Sequence, residues 1–197
     1  MNTFPNKTQY YQMIELFEKA NWNFLNDHLM LLESQVSERT MCGQLQININ
    51  DLIRNDKFFE RYYVDVEYNR NVERRIKRIR NDRYEKVNIT CDLIVHSRGK
   101  NLKQDNLIAL EMKKIFQNDL KQQQKIIEDK ERLTALTRPS YGEEWQHDGQ
   151  SLPDFVCRFI LGIYYEINYL NHQIYIQYYR GGEMVNDQVI DFDRIGL

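Results

Sequence analysis

Apolar positions recur along this chain in two rhythms. Where they fall three or four apart they predict amphipathic helices, and where they alternate or run together they predict strands. Tyr10, Met13, Ile14, Phe17 and Ala20 predict a helix over residues 7–20, and Leu25, Leu29 and Leu32 predict a second over 22–32. Met41, Cys42, Leu45, Ile49, Leu52 and Ile53 predict a third, ending near Arg54, with Ser37 as its N-cap. Residues 61–69 alternate: Tyr62, Val64, Val66 and Tyr68 on one face, Tyr63, Asp65 and Glu67 on the other. The two acids on that face read first as a salt-bridged or solvated surface.

Next come two apolar runs that predict a hairpin of buried strands. Val87, Ile89, Cys91, Leu93, Ile94 and Val95 form one; Leu107, Ile108, Ala109 and Leu110 form the other. Gly99 marks a turn in the polar loop between them. Residues 117–137 predict a helix capped by Asn118 or Asp119, with a narrow stripe of Leu120, Ile126, Ile127, Leu133 and Leu136. A turn-rich loop over 138–153 carries Trp145 and His147. Residues 155–169 and 173–179 read as strands, Gly181-Gly182 as a turn, and 188–192 as a short last strand. The expected class is α/β, with helices around a central mixed sheet of about five strands.

Three charges break the apolar runs. Asp92 interrupts the first strand, and Glu111 and Lys113 close the second. Residues two apart in a strand share a face, so Glu111 and Lys113 point the same way. Charges on a buried sheet are costly unless paired or bound to a metal. The plain reading is a structural ion pair at a strand end. Against it stand the buried character of both strands and the eighteen residues between Asp92 and Glu111, enough for a strand, a loop and a second strand. Glu38 shares the apolar face of its helix; an acid in a first turn also suits the helix dipole.

Asp92 followed by Glu111-Met112-Lys113 resembles the PD-(D/E)xK nuclease superfamily, which places an Asp on one strand, Glu-x-Lys on the next and, usually, a Glu on an upstream helix. Cys91 stands where that pattern often has Pro. The resemblance covers residues 37–137 and implies a restriction-endonuclease-like core. It further implies a metal-dependent nuclease that hydrolyses phosphodiester bonds, with DNA favoured over RNA. Catalysis would fall to Asp92, Glu111, Lys113 and Glu38. Asp92, Glu111, the Met112 carbonyl and Glu38 would hold Mg²⁺ or Mn²⁺.

Length and composition narrow the alternatives. The 197 residues, with three prolines and no Gly/Ser-rich linker, are expected to form a single domain. Its parts would be N-terminal helices (1–36), a nuclease-like core (37–137), and a loop and strands that complete the sheet (138–197). Apolar content of 42% and charged content of 28% are ordinary for a globular protein. The three cysteines are widely spaced and read as buried hydrophobes in a reducing, cytoplasmic setting. No apolar run is long enough to span a membrane. No His/Cys zinc spacing or Ser/His/Asp arrangement is present.

Net charge is −2, so any attraction to nucleic acid must be local. Residues 70–86 supply it, with eight basic against three acidic residues, and Val72, Ile76 and Ile79 there suggest a basic helix or helical hairpin. Arg70, Arg74, Arg75, Lys77 and Arg78, with His96 and Arg98 at a strand end, are the candidate phosphate contacts. His96 falls roughly 13 Å from Asp92 along an ideal strand, too far to share its metal. Two other classes remain in view. One is the same fold without catalysis, binding nucleic acid or a protein. The other is an interaction protein, a homodimer for example, assembled through the N-terminal helices and tyrosine-rich strands.

Overall fold

The computed structural model describes residues 4–69, 78–80, 86–88, 90–117, 119–140, 148 and 156–195. Helices α1 (Lys7–Asp27), α2 (Leu29–Glu33) and α3 (Glu38–Ile53) lead into strand β1 (Tyr63–Val66). A small hairpin, β2 (Arg78–Arg80) with β3 (Lys86–Asn88), precedes β4 (Leu93–His96) and β5 (Asn106–Ile115). Helix α4 (Leu120–Thr137) then carries the chain to β6 (Leu161–Asn168), β7 (Gln173–Arg180) and β8 (Glu183–Asp191).

One mixed sheet runs in the order β1-β4-β5-β6-β7-β8. β4 and β5 form the expected antiparallel hairpin, with Leu93 opposite Leu110. β5 and β6 are parallel, which requires a crossover, and α4 is that crossover. The sheet has six strands, not five. The last, β8, starts at Glu183, well ahead of the short strand expected at 188–192: most of its residues are exposed, so its first half carries no burial rhythm to read. Its Glu183, Asp187 and Asp191 put charge along an edge strand, where charge discourages pairing with other chains.

Two apolar layers sandwich this sheet. Met13, Phe17, Ala20 and Phe24 of α1 and Met41, Cys42, Leu45 and Ile49 of α3 pack against Leu110, Met112, Ile163, Tyr165 and Ile176. On the opposite face Leu133 and Leu136 of α4 meet Ile94, Ala109, Phe159, Tyr164 and Tyr179. Each fully buried large side chain contributes roughly 1.5–3 kcal/mol. Covered on both faces, β4, β5 and β6 read as nearly continuous apolar runs. α4 approaches β6 closely at Gly162, where a Cβ would meet Thr137 Cγ2 and Tyr179 Cβ at 3.0 Å each.

Several local expectations change. α1 runs straight through Trp22, and the second helix is only the short α2. Ser37 caps α3 by accepting from the Thr40 amide, as its spacing predicts, and Asp119 caps α4 through the Gln122 amide. Leu120 and Ile127 are exposed and take no part in the core. Residues 78–80 and 86–88 are extended rather than helical. Arg78-Ile79-Arg80 satisfies a two-residue period as well as a helical one, and pairing with β3 decides between them. Arg70, Arg74, Arg75 and Lys77 lie outside the described residues, as do Trp145 and His147. All three cysteines are buried thiols. No helix among the described residues is long and apolar enough to cross a membrane.

Candidate functional site

The site forms where β4 begins and β5 has further to run. The last β4–β5 pair is Leu93 with Leu110. Beyond it, Glu111 to Ile115 remain paired with β6 on one side only. The amides of Met112 and Lys114 face the vacated side, and acids fill the missing partner's place. Met112 N–H donates to Asp92 Oδ2 at 2.7 Å, and Lys114 N–H donates to Glu38 Oε1 at 2.8 Å. Asp92 therefore sits in a bend just ahead of β4 rather than within it. Glu38, the first residue of α3, reaches across to the sheet instead of lying against its own helix end. A strand residue's N–H and C=O point to the same side, so the Met112 carbonyl also faces Asp92.

Glu111 and Lys113 share the face turned towards α4, as their spacing predicts. Glu111 Oε1 lies 2.8 Å from Arg132 Nη1, and Lys113 Nζ lies 2.9 Å from Asp129 Oδ2. Arg132 Nη1 also reaches Asp129 Oδ1 at 3.1 Å, which links the four charges in a row. Glu111 is only 2% exposed. Its contact with Arg132 is close but poorly aligned, and this buried oxygen has no well-formed hydrogen bond.

Four carboxylates (Glu38, Asp92, Glu111, Asp129) thus gather around two cations (Lys113, Arg132), an excess of negative charge. The acids respond accordingly. Burial lifts Asp92 from 3.8 to about 6, against the Met112 amide and Lys113, which pull it down, and with Glu38 and Asp129 pushing it up. Burial also lifts Glu111 well above the usual carboxylate range, despite the Arg132 guanidinium; Asp92 and Asp129 add to the rise. For Lys113, burial works against the charged form, but Asp129, Glu38 and Asp92 more than offset it and its pKa rises. These shifts are the sign of charges held close together in a poorly hydrated place.

Asp129 and Arg132 are the residues that sequence reasoning missed. Their signal was a gap: the apolar stripe Ile126, Leu133, Leu136 has an acid at its fourth position, 129, and that acid is buried.

His96 and Arg98 stand at the other end of β4 from Asp92, and both engage the carboxylate of Asp65. His96 Nε2 lies 2.9 Å from Asp65 Oδ2, and Arg98 grips the same carboxylate through Nε (2.8 Å) and Nη2 (2.5 Å). His96 is 1% exposed. Asp65 sits diagonally across the β1–β4 pairing, where strand neighbours meet, so the salt-bridged reading of its face holds. Those interactions hold Asp65 well below its ordinary pKa, against the burial that would raise it. Glu67, its neighbour on that face, pairs with Arg39 at 3.4 Å.

A cleft of about 610 Å³ opens beside the acids, lined by Glu38, Lys113, Lys114, Lys121, Gln122 and Lys125 among others. Of the four acids only Glu38 lines it; Asp92, Glu111 and Asp129 do not. Among the described residues, no three His, Cys, Asp or Glu side chains are gathered tightly enough to cage a metal ion. The donor set still suits a hard cation of the Mg²⁺ kind, which takes one or two carboxylates and keeps several waters. The ill-satisfied Glu111 oxygen and the surplus of carboxylates are what such an ion would relieve.

Compared with family models, with curated proteins and with solved structures, the chain matches none of them.

Proposed function

We propose that this chain is a metal-dependent nuclease of the PD-(D/E)xK type, hydrolysing phosphodiester bonds of nucleic acid, with DNA ahead of RNA. One observation carries the reading. Where β4 parts from β5, Asp92 and Glu38 accept from the amides either side of Lys113, Glu111 and Lys113 project from the same stretch of β5, and Lys113 and Glu38 line a cleft with further lysines on its walls. That is the superfamily's order of parts: helical Glu, strand Asp, then Glu-x-Lys.

In this reading Asp92, Glu111 and the Met112 carbonyl would hold Mg²⁺ or Mn²⁺, with Glu38 positioned to orient a water. A divalent ion bound there supplies Lewis acidity towards the phosphoryl oxygen and lowers the pKa of a water. Lys113, at the cleft wall, places a cation where negative charge builds on the phosphoryl oxygens. Asp129 holds the Lys113 ammonium in position, and Arg132 keeps Glu111 from being a lone buried charge. Both act through other residues and are positioning residues.

The test is cleavage of plasmid, single-stranded DNA and RNA with Mg²⁺ or Mn²⁺, beside Asp92→Ala and Lys113→Ala. Activity in the parent chain and its loss in both variants is expected. Equal cleavage by all three would mark a contaminant and overturn the proposal.

A second reading draws on a specific observation. Every acid at the site already has a partner: Asp92 and Glu38 a backbone amide, Glu111 an arginine, Asp129 a lysine. Such a site could be a purely structural knot in a module that binds nucleic acid or protein. Calorimetric titration with Mn²⁺ separates the two, because heat that vanishes in Asp92→Asn belongs only to the nuclease.

A further inference from the structure

Most of the basic run at 70–86 lies outside the described residues; a second set of cations lines the cleft beside the site. β5 ends at Ile115, and the chain turns back into α4 within a few residues. Gln122 Nε2 donates to the Lys114 carbonyl at 2.7 Å and pins the first turn of α4 to the end of β5. The cleft lies in the angle between them.

Its walls are unequal in charge. Lys113, Lys114, Lys121 and Lys125 face Glu38 and Asp119. Both acids are engaged by backbone amides, Asp119 with Gln122 and Glu38 with Lys114. Lys114 Nζ donates to the carbonyls of Gln35 (2.9 Å) and Val36 (2.8 Å), neutral partners that leave its charge uncompensated. Lys121 and Lys125 are exposed, and neither forms an ion pair among the described residues. They stand one helical turn apart on the same side of α4, about 6 Å along its axis. That separation is comparable with the distance between adjacent phosphates on one strand. In a chain of net charge −2, this is a local basic trough ending at Lys113.

We propose that this cleft seats the phosphodiester backbone of a nucleic-acid strand on its way to Lys113, with Lys121 and Lys125 each neutralising one phosphate. The location of the bond to be cut rests on the nuclease reading; the binding of the strand does not.

The test is fluorescence anisotropy of a labelled oligonucleotide with the full chain in EDTA, so that no turnover occurs. Single-stranded and duplex forms are separate arms, and affinity is followed across salt concentration. Lys121→Gln/Lys125→Gln is compared with the parent and with Lys19→Gln/Lys57→Gln, a pair of exposed lysines away from the cleft. Each lost phosphate contact flattens the slope of log K against log[salt] by about 0.7 for a single strand or about 0.9 for a duplex. The cleft pair should therefore flatten it by about 1.4 or about 1.8, and the control pair should leave it unchanged; the size of the change tells which form the cleft holds. An unchanged slope in the cleft variant, an equal change in the control, or no binding by the parent would overturn the proposal. Cleavage by the parent with an unchanged slope in the cleft variant would sink this inference and spare the nuclease reading. A flattened slope in a protein that cuts nothing would do the reverse.

Discussion

Asp92→Asn separates a strained ligand site from an inert polar contact, because only the first makes the difference in stability depend on pH and on a divalent cation. The substitution keeps an oxygen that can accept from the Met112 amide and removes the charge. In the folded protein Asp92 gives up its proton at about 6, against an ordinary value of 3.8. Below 3.8 the side chain is neutral in both folded and unfolded chains and contributes no pH dependence. Between there and about 6 the unfolded chain loses its proton first, so stability falls as pH rises. Above about 6 the full penalty is in place. At about 1.4 kcal/mol per pH unit, it amounts to about 3 kcal/mol. The Asn variant carries no such penalty. Urea denaturation in EDTA from pH 3.5 to 8 should show it gaining about 3 kcal/mol on the parent across that range. A divalent cation favours the ionised acid, so Mn²⁺ at pH 7.5 should stabilise the parent and not the variant. Parallel stability curves from pH 3.5 to 8, or equal stabilisation of both by Mn²⁺, would refute the reasoning.

The other outcomes follow from the same contacts. Lys113→Met should abolish cleavage and cost about 3 kcal/mol in a urea melt, since it leaves the buried Asp129 with Arg132 alone. Arg132→Leu removes the cation shared by Glu111 and Asp129 and should cost about 3 kcal/mol in a urea melt; an unchanged midpoint would argue against the ion-pair row. Gly162→Ala should destabilise by about 1–3 kcal/mol through the contacts its Cβ would make with Thr137 and Tyr179, measured by thermal or urea unfolding. Ser37→Ala should cost about 1 kcal/mol of stability by removing the acceptor for the Thr40 amide, and circular dichroism melts will register it.

Much of the fold was legible because local rules and tertiary packing agree. Helix α3 shows both its cap and its apolar stripe in the sequence, and its boundaries follow. The β4–β5 hairpin is legible because strands covered on both faces are apolar throughout. Agreement fails where burial gives no rhythm. β8 is an exposed edge, and its nine residues reduce to a short strand when read alone. Residues 78–80 fit two periods at once, and only the partner strand chooses between them.

The candidate site divides along the same line. By itself the sequence determined that Asp92, Glu111 and Lys113 stand among apolar runs, and that Glu111 and Lys113 share a face. Both follow from residue order and the two-residue period of a strand. Only the tertiary structure decided what those charges meet. The ending of β4 one residue after Asp92, counted backwards from the hairpin, leaves two β5 amides for Asp92 and Glu38 to satisfy. The crossover of α4 brings Asp129 and Arg132 onto Lys113 and Glu111 from a helix whose sequence shows them only as polar positions. Likewise His96 and Arg98 were surface cations on paper, until the β1–β4 pairing set Asp65 beside them. Pairing between distant residues depends on which strand lies next to which. That is settled by the packing of the whole sheet, and no local pattern carries it.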